Sequence, residues 1–457
     1  MPRSLIADRL VGIAKVYARC AMDRWHAMSD AEGRTGRPLA WLAAHARTPL
    51  YRDGYAILLA TGLTSVLGIV YWAVAARLYP AATVGFNTAI LSAMMLVSGL
   101  AQLNMTTLLP RYLPVVGGSR RRLVKVTYAG TLLVTLVFAA LAVVVLPRLI
   151  PALGELRDVG ARAGLFFVVG ALAWTIFTLQ DSVLTGLGRA VWVPAENLTS
   201  SLLKLALLPL LQGPMPRLGI MFSWIVSAIA LIPPVTWLVH RRLRTRERAP
   251  EPAASLRPIA SLLLGNNVGM TLGIVAVFTM PLLVVAQLGS QANAYFYGPW
   301  SVFLGLQLVS ASFATSLLVE GADPASRRAA LMKAMMWQSS RLLLPAVALV
   351  CLLASPILSL FGPDYEAEGT TLLRLLALAC VPNVLVAAAI AKARLYERPW
   401  TVALIHSETS LLGLGLSALL LPVMGIEGAG VAWLVAQSLV GGAAALDASA
   451  RRRSSAA

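Results

Sequence analysis

Long apolar runs separated by short polar stretches dominate the chain from about residue 55 to residue 446. Most runs are close to the about 20 residues that an α-helix needs to cross a hydrocarbon core of about 30 Å. The pattern predicts twelve membrane-spanning helices. The first six lie at about 55–78, 84–109, 124–147, 163–187, 192–212 and 218–239. Six more follow at about 258–286, 292–318, 338–361, 368–391, 399–421 and 428–446.

The same pattern recurs after a shift of 209 residues, without a gap, from about residue 81 onwards. In this register identical residues coincide, among them Pro147 with Pro356, Arg189 with Arg398, Gly219 with Gly428 and Trp224 with Trp433. Because each half has an even number of spans, both halves enter and leave the membrane on the same side. The repeat therefore predicts an all-α polytopic membrane protein with two parallel-related six-helix lobes, an architecture typical of transporters.

Composition and charge fix the environment and the orientation. The chain is 58% hydrophobic and 13% charged, with a mean hydropathy of +0.75, which is outside the range of soluble domains. With the N-terminus in the cytoplasm, 30 of the 38 lysine and arginine residues fall on the cytoplasmic side, as cytoplasmic loops require. Both termini are therefore predicted inside. The net charge of +18 is spread over many segments without interleaved aromatic residues, which favours anionic lipid over nucleic acid.

The polar segments divide the chain into five parts. We predict a cytoplasmic basic tail at 1–50, an N-lobe at 51–240, a cytoplasmic linker at 241–257, a C-lobe at 258–446 and a second basic tail at 447–457. The first tail is compatible both with an interfacial amphipathic helix and with a solvated segment. It contains no apolar stretch typical of a signal peptide, so the first span is expected to stay in the protein.

Cofactor and metal chemistry find no support in the sequence. The three cysteines and four histidines have no ligand spacing, and no phosphate-binding or hydrolase motif is present. We therefore expect no cofactor, no metal and no catalytic residue. The predicted outer loops are short, which argues against a membrane-embedded glycosyltransferase or polymerase acting on lipid-linked sugars, the enzymatic alternative.

One region carries a resemblance to a known family. The segment from Leu78 to Pro114 reads LYPAATVGFNTAILSAMMLVSGLAQLNMTTLLPRYLP, and it resembles the second-helix region of bacterial oligosaccharide flippases. These belong to the polysaccharide transporter branch of the multidrug/oligosaccharidyl-lipid/polysaccharide exporter (MOP) superfamily. Gly188-Arg189 and Glu397-Arg398-Pro399 occupy the expected inner turns, and the likeness covers about residues 50–446.

The resemblance implies a central cavity between the lobes that opens alternately to the two sides. It implies a polyprenyl-pyrophosphate-linked oligosaccharide as substrate, moved from the inner to the outer leaflet of the bacterial plasma membrane for lipopolysaccharide or other cell-surface polysaccharide biosynthesis. Membrane lipids, a polysaccharide polymerase and glycosyltransferases of the same pathway are the implied partners. An ion-coupled multidrug exporter of the same superfamily is the alternative.

A pyrophosphate and its sugars cannot cross hydrocarbon uncovered, so cationic and amide side chains must line the path. Lys204 lies about 12 residues into its span, about 18 Å from the inner end. Its counterpart in the second half is Gly413, so the scaffold does not require a charge there. Lys204 is predicted either to bind the pyrophosphate or to pair with Asp181 on the preceding helix.

Four further polar positions are candidates for the cavity, each with a structural alternative. Arg111 either contacts the pyrophosphate at the inner leaflet or is one more cytoplasmic charge. Arg374 either faces the cavity or extends to the outer membrane surface. The amides of Gln102 and Asn104 either meet sugar hydroxyls or join helices to each other.

The seventh span has the composition of a gating helix. It contains Gly265, Gly269, Gly273 and Pro281, with the cavity candidates Asn266 and Asn267 beside the first glycine. Glycines four residues apart permit close helix contact, and a proline permits a bend within the membrane. The sequence therefore predicts either a mobile gate or static packing at this helix.

Overall fold

The computed structural model describes the backbone of residues 49–454 except 115, 117–119, 152–153, 155–160, 246–256, 321–324 and 397. Side chains are described from 63 to 447, with further gaps at 161–162, 244–245, 257–268, 308–320, 325–331, 333–334 and 399. The N-terminal tail and most of the linker lie outside the described residues. Contacts divide the chain into two units, Met1–Gly62 and Leu63–Ala457. In the first unit, residues 49–62 are helical.

The described residues fold into α-helices joined by short turns. In the first half these are α1 (Pro49–Leu78), α2 (Ala81–Gln102), α3 (Met105–Tyr112), α4 (Arg120–Leu149), α5 (Ala161–Gly186), α6 (Trp192–Gln212) and α7 (Gly219–Thr245). In the second half they are α8 (Arg257–Glu320), α9 (Ala325–Leu352), α10 (Ala354–Ser359), α11 (Pro363–Leu395), α12 (Pro399–Met424) and α13 (Glu427–Ser454).

These helices provide the twelve predicted crossings. α2 and α3 form one broken crossing, α9 and α10 form another, and α8 forms two, because Gly289 interrupts it with a φ of 84° and a ψ of 174°. The two arms of α8 cover 257–288 and 290–320. Within the described residues, nine stretches are long and apolar enough to span a membrane, and the longest, Gly269–Gln307, includes parts of both arms. The predicted fold class, an all-α polytopic protein of two six-helix halves, is confirmed.

Some helices extend beyond the predicted spans. α7 continues to Thr245, and α13 continues to Ser454, so basic residues assigned to the linker and to the C-terminal tail lie in the last turns of helices. Positive charge at a helix C-terminus is favourable because the backbone carbonyls there carry partial negative charge.

The two halves meet at symmetry-related positions. Gly85 in α2 and Ala294 in the second arm of α8 are equivalent in the 209-residue repeat, and they lie where the two helices cross. A Cβ atom at Gly85 would overlap the carbonyl oxygen of Ser290 and lie 2.8 Å from the nitrogen of Ala294. Asn293 Nδ2 donates to the Gly85 carbonyl at 2.8 Å and to Thr88 Oγ1 at 2.9 Å. The halves are therefore in close contact near their predicted outer ends.

Candidate functional site

The side chain of Lys204 lies over aromatic rings. α6 places its Nζ atom 4.0 Å from the centroid of the Trp224 ring and 5.2 Å from the centroid of the Tyr71 ring. The Tyr71 hydroxyl is 2.7 Å from Oγ of Ser223, the residue before Trp224, which fixes the two rings relative to each other. A cation over an aromatic face gains about 0.5–2 kcal/mol. The ammonium group is therefore held by rings rather than by a carboxylate.

The aromatic cluster around Lys204 reaches both halves of the protein. The ring centroids of Trp72 and Trp224 are 6.3 Å apart, and those of Trp174 and Trp224 are 5.5 Å apart. Trp72 also contacts Tyr297 of the second half, at 4.9 Å between centroids. Rigid aromatic walls around a few placed polar groups are typical of ligand sites. We refer to Tyr71, Trp72, Trp174, Trp224, Tyr297 and Lys204 as the cation–aromatic cluster.

The second half has no such cation at the equivalent place. Gly413 is the counterpart of Lys204, and a Cβ atom there would lie 3.1 Å from the ring of Trp433, the counterpart of Trp224. Trp433 also packs on Trp300 and Phe303, at 5.3 and 5.8 Å between centroids. The same helix pair therefore carries a charge in the first half and a close-packed core in the second.

Contacts between the halves, which we call the outer seal, lie on the predicted outer side of the cation–aromatic cluster. Arg77, near the end of α1, donates from Nε to the carbonyl of Leu360 at 2.8 Å and from Nη2 to the carbonyl of Ser359 at 3.2 Å. Together with the contact between Gly85 and Ala294, these bonds join the halves at their predicted outer ends. Lys204 is eight residues before the end of α6, about 12 Å deeper in the bundle.

Asp181 pairs with an acidic neighbour and not with Lys204. Its Oδ2 atom accepts a hydrogen bond from Asn197 Nδ2 at 3.2 Å, and its carboxyl group contacts that of Glu196. Glu196 is 6% exposed, and both of its carboxyl oxygens lack a donor among the described residues. Lys204 makes no ion pair within the described part of the chain. The predicted pairing of Lys204 with Asp181 is therefore not formed, because α6 turns Glu196 and Asn197 toward Asp181 instead.

The second crossing is broken at two consecutive residues. Leu103 and Asn104 have φ values of 45° and 61°, in the left-handed region, and they separate α2 from α3. Asn104 Nδ2 lies 3.4 Å from Met270 Sδ. Gln102 donates to Ser98 Oγ at 2.7 Å and to Thr178 Oγ1 at 2.8 Å. The hydrogen bond from Gln102 to Thr178 thus joins α2 to α5. Joining helices to each other is one of the two roles predicted for this amide from the sequence.

The two arginine candidates lie apart from the cation–aromatic cluster. Arg111 is exposed in the last turn of α3. Arg374 is exposed and donates from Nε to the carbonyl of Cys351 at 3.2 Å, near the end of α9. That bond satisfies a terminal helix carbonyl, which is a common role for arginine at such positions.

The first arm of α8 is closely packed against α12. A Cβ atom at Gly269 would lie 2.7 Å from Cα of Ala403, and one at Gly273 would lie 3.8 Å from His406 Nδ1. The helix keeps helical dihedral angles through Pro281 and departs from them at Gly289. The side chains of Asn266 and Asn267 and the surroundings of Gly265 lie outside the described residues. A gating role for this helix stays a prediction.

Sequence reasoning missed most of the cation–aromatic cluster. Trp224 appeared only as a repeat marker, and Tyr71, Trp72 and Tyr297 were not identified as candidates. The adjacent aromatic residues Tyr71 and Trp72 in an otherwise aliphatic span were the available signal. Their convergence on Lys204 depends on the packing of α1, α6 and α7, which a single sequence does not reveal.

Comparison with known proteins supports the fold. No protein-family model and no curated protein matches the sequence. Among solved structures, the chain is similar to an inward-facing multidrug resistance MATE family transporter of the MOP superfamily, with a TM-score of 0.61, 14% identity, and coverage of 85% of this chain and 94% of that chain. It is also similar to the lipid II flippase MurJ in an inward closed conformation, with a TM-score of 0.67, 12% identity, and coverage of 86% and 87%.

A third similar structure is a MOP superfamily transporter from Pyrococcus furiosus, described as having a binding pocket of reverse polarity. It has a TM-score of 0.59 and 15% identity, and the match covers 88% of this chain and 94% of that chain. This chain therefore has the fold of MOP superfamily transporters and is a multi-pass membrane protein. At 12–15% identity the likeness concerns the fold alone.

Proposed function

We propose that this protein is a flippase that moves a polyprenyl-pyrophosphate-linked oligosaccharide from the inner to the outer leaflet of a bacterial plasma membrane. The observation that carries the proposal is the cation–aromatic cluster, in which Lys204 is held over Trp224 without a carboxylate partner among the described residues. The fold shared with the lipid II flippase agrees with a lipid-linked substrate.

The chemistry of Lys204 suits an anionic headgroup. Burying a phosphate without compensation costs several kcal/mol or more, and an ammonium group is a compact charge that binds phosphate well. A lysine already paired with a carboxylate would have to break that pair first. Because aromatic rings hold Lys204 in place, the positive charge stays available for a pyrophosphate.

The position of the cluster suits loading from the cytoplasmic side. Arg77 and Gly85 join the halves at the predicted outer ends, which supports access to the cluster from the predicted inner side. Glycosyltransferases would supply the substrate on the cytoplasmic side, and a polymerase would use it on the other. The excess of cytoplasmic arginine and lysine supports this orientation, with both termini inside.

Reconstitution into liposomes tests the proposal. A fluorescent polyprenyl-pyrophosphate oligosaccharide is placed in the membrane, and its appearance in the opposite leaflet is scored for the wild-type protein, Lys204→Met and Lys392→Met. Lys392 lies at the far end of α11, away from the cluster, and serves as the matched control. The proposal requires movement by the wild type and the control and its loss in Lys204→Met; equal movement by all three would refute the role of Lys204.

The acidic pair supports a second candidate, an ion-coupled exporter. Glu196 is buried and Asp181 is half-buried, and both have unsatisfied oxygens among the described residues; intramembrane carboxylates commonly bind a proton or a cation during transport. Efflux of a cationic dye under a proton or sodium gradient, abolished by Glu196→Gln, together with no movement of the lipid-linked sugar, would favour this function.

A further inference from the structure

A groove with a volume of about 340 Å³ runs between the broken second crossing and α4. Its α4 wall consists of Leu123, Val126, Thr127, Gly130, Thr131 and Val134. These residues recur at intervals of three and four and form one face of the helix. The opposite wall includes Leu103, Met105, Leu108 and Tyr112. Apart from a few hydroxyl and amide groups, the lining is apolar.

The groove opens to the exterior of the bundle. Leu103 and Val126, on opposite walls, are 56% and 59% exposed. α4 is also the least buried of the nine apolar stretches. In a membrane, such a surface faces lipid, so an apolar chain is the occupant that the surroundings supply.

The length of the groove matches one leaflet. The distance along α4 from Leu123 to Val134 is about 17 Å at 1.5 Å per residue, and half of a hydrocarbon core is about 15 Å. Leu123 lies one turn from the predicted cytoplasmic end of α4. A chain anchored at the inner surface would therefore fill the groove and end near the bilayer midplane.

Positive charge surrounds the cytoplasmic mouth of the groove. Arg111 is exposed beside Tyr112 on one wall, and Arg122 is exposed one turn before Val126 on the other. Lys125, the residue directly before Val126, is also exposed. From Gly54 to Gly154 the sequence contains no aspartate or glutamate. This imbalance attracts an anionic headgroup at the membrane surface.

We propose that the groove between α3 and α4 binds one acyl chain of an anionic phospholipid of the inner leaflet, with the headgroup phosphate at Arg111 and Arg122. The interruption at Leu103 and Asn104 lies at the deep end of the groove, so the bound chain packs against the broken part of the second crossing. A ligand that binds only the folded protein stabilises it. The lipid therefore stabilises the broken helix, independently of which substrate the protein transports.

Native mass spectrometry of the full-length protein in detergent tests this site, with phosphatidylglycerol and phosphatidylcholine as probes. We expect one phosphatidylglycerol to be retained in preference to phosphatidylcholine. Gly130→Trp fills the groove without a clash, because a Cβ atom there has no neighbour within 4 Å. Gly415→Trp is the matched control, since that exposed glycine is equally open on α12. The retained lipid should be lost in the first variant and kept in the second.

A double variant, Arg111→Gln with Arg122→Gln, provides a test that does not depend on filling the groove. It should retain phosphatidylglycerol and phosphatidylcholine equally, and the increase in melting temperature caused by phosphatidylglycerol should disappear. Equal retention of the two lipids by the wild type, or undiminished preference in both variants, would overturn the site. Displacement of the phosphatidylglycerol by polyprenyl pyrophosphate would reassign the groove from a resident phospholipid to the substrate.

Discussion

Lys204 Nζ lies 4.0 Å from the centroid of the Trp224 ring, on a helix pair whose repeat-related copy has a glycine in place of the lysine. In that copy Gly413 brings the backbone against Trp433. One tryptophan therefore supports a cation, and its counterpart completes a core. The duplicated scaffold positions the two rings equivalently. The lysine opposite the Trp224 ring supplies the positive charge that an anion needs, and the glycine opposite the Trp433 ring does not.

Replacing each tryptophan by leucine separates these two roles. Trp224→Leu removes the cation–π contact, worth about 1 kcal/mol, and should raise the KM for the proposed lipid-linked substrate about fivefold. Trp433 is 5% exposed, so Trp433→Leu should lower the free energy of unfolding by about 3 kcal/mol through a cavity and leave KM nearly unchanged. Transport assays and thermal unfolding in detergent measure both effects. Identical behaviour of the two variants would argue against a distinct role for Trp224.

The bonds from Arg77 to Leu360 and Ser359 should hold the outer seal closed. Arg77→Gln weakens two hydrogen bonds to backbone carbonyls at an exposed site, a loss of about 1 kcal/mol, or about a fivefold shift toward an open outer side. Spin labels at Leu149 and Val423, exposed near the outer ends of α4 and α12, would report a longer distance.

Arg148→Gln is the control for this experiment. Arg148 is also an arginine at a predicted outer end, and its hydrogen bond among the described residues is within its own helix, from Nη1 to the carbonyl of Val144 at 3.2 Å. Its replacement should leave the distance distribution unchanged. A distribution that is the same for the wild type and Arg77→Gln would show that other contacts, such as those of Gly85, suffice to close the seal.

The pairing of Asp181 with Glu196 should lower the free energy of unfolding. Asp181 and Glu196 place two carboxyl groups together in a buried site, where like charges repel strongly. Glu196→Gln removes one charge and supplies amide hydrogens to the unsatisfied oxygen of Asp181, so we expect the free energy of unfolding at pH 8 to rise by about 1 kcal/mol. Glu368, exposed near the predicted outer end of α11, is the control, and Glu368→Gln should have little effect. A decrease in stability for Glu196→Gln would indicate that the pair is held by an interaction that the amide cannot replace.

The sequence predicts the elements of this fold better than the contacts of its site. Twelve crossings and the repeat follow from apolar runs and from residues such as Trp224 and Trp433, because burial in lipid imposes a uniform pattern. The partner of Asp181 does not follow, because Lys204, Glu196 and Asn197 all lie on the neighbouring helix and only the rotation of α6 selects among them. The break at Leu103 is also hidden, since leucine is an ordinary helix residue and carries no turn signal.

That break provides a direct test of local strain. Leu103 has a φ of 45°, and a left-handed conformation costs a residue with a side chain about 1–2 kcal/mol that glycine avoids. Its side chain is 56% exposed, so little packing is lost on replacement. Leu103→Gly should therefore raise the free energy of unfolding by about 1 kcal/mol. Leu133→Gly, at a comparably exposed position inside α4, should lower it by about 1 kcal/mol, because glycine destabilises a helix interior. Thermal unfolding in the same detergent distinguishes the opposite signs, and destabilisation by both substitutions would argue against strain at Leu103.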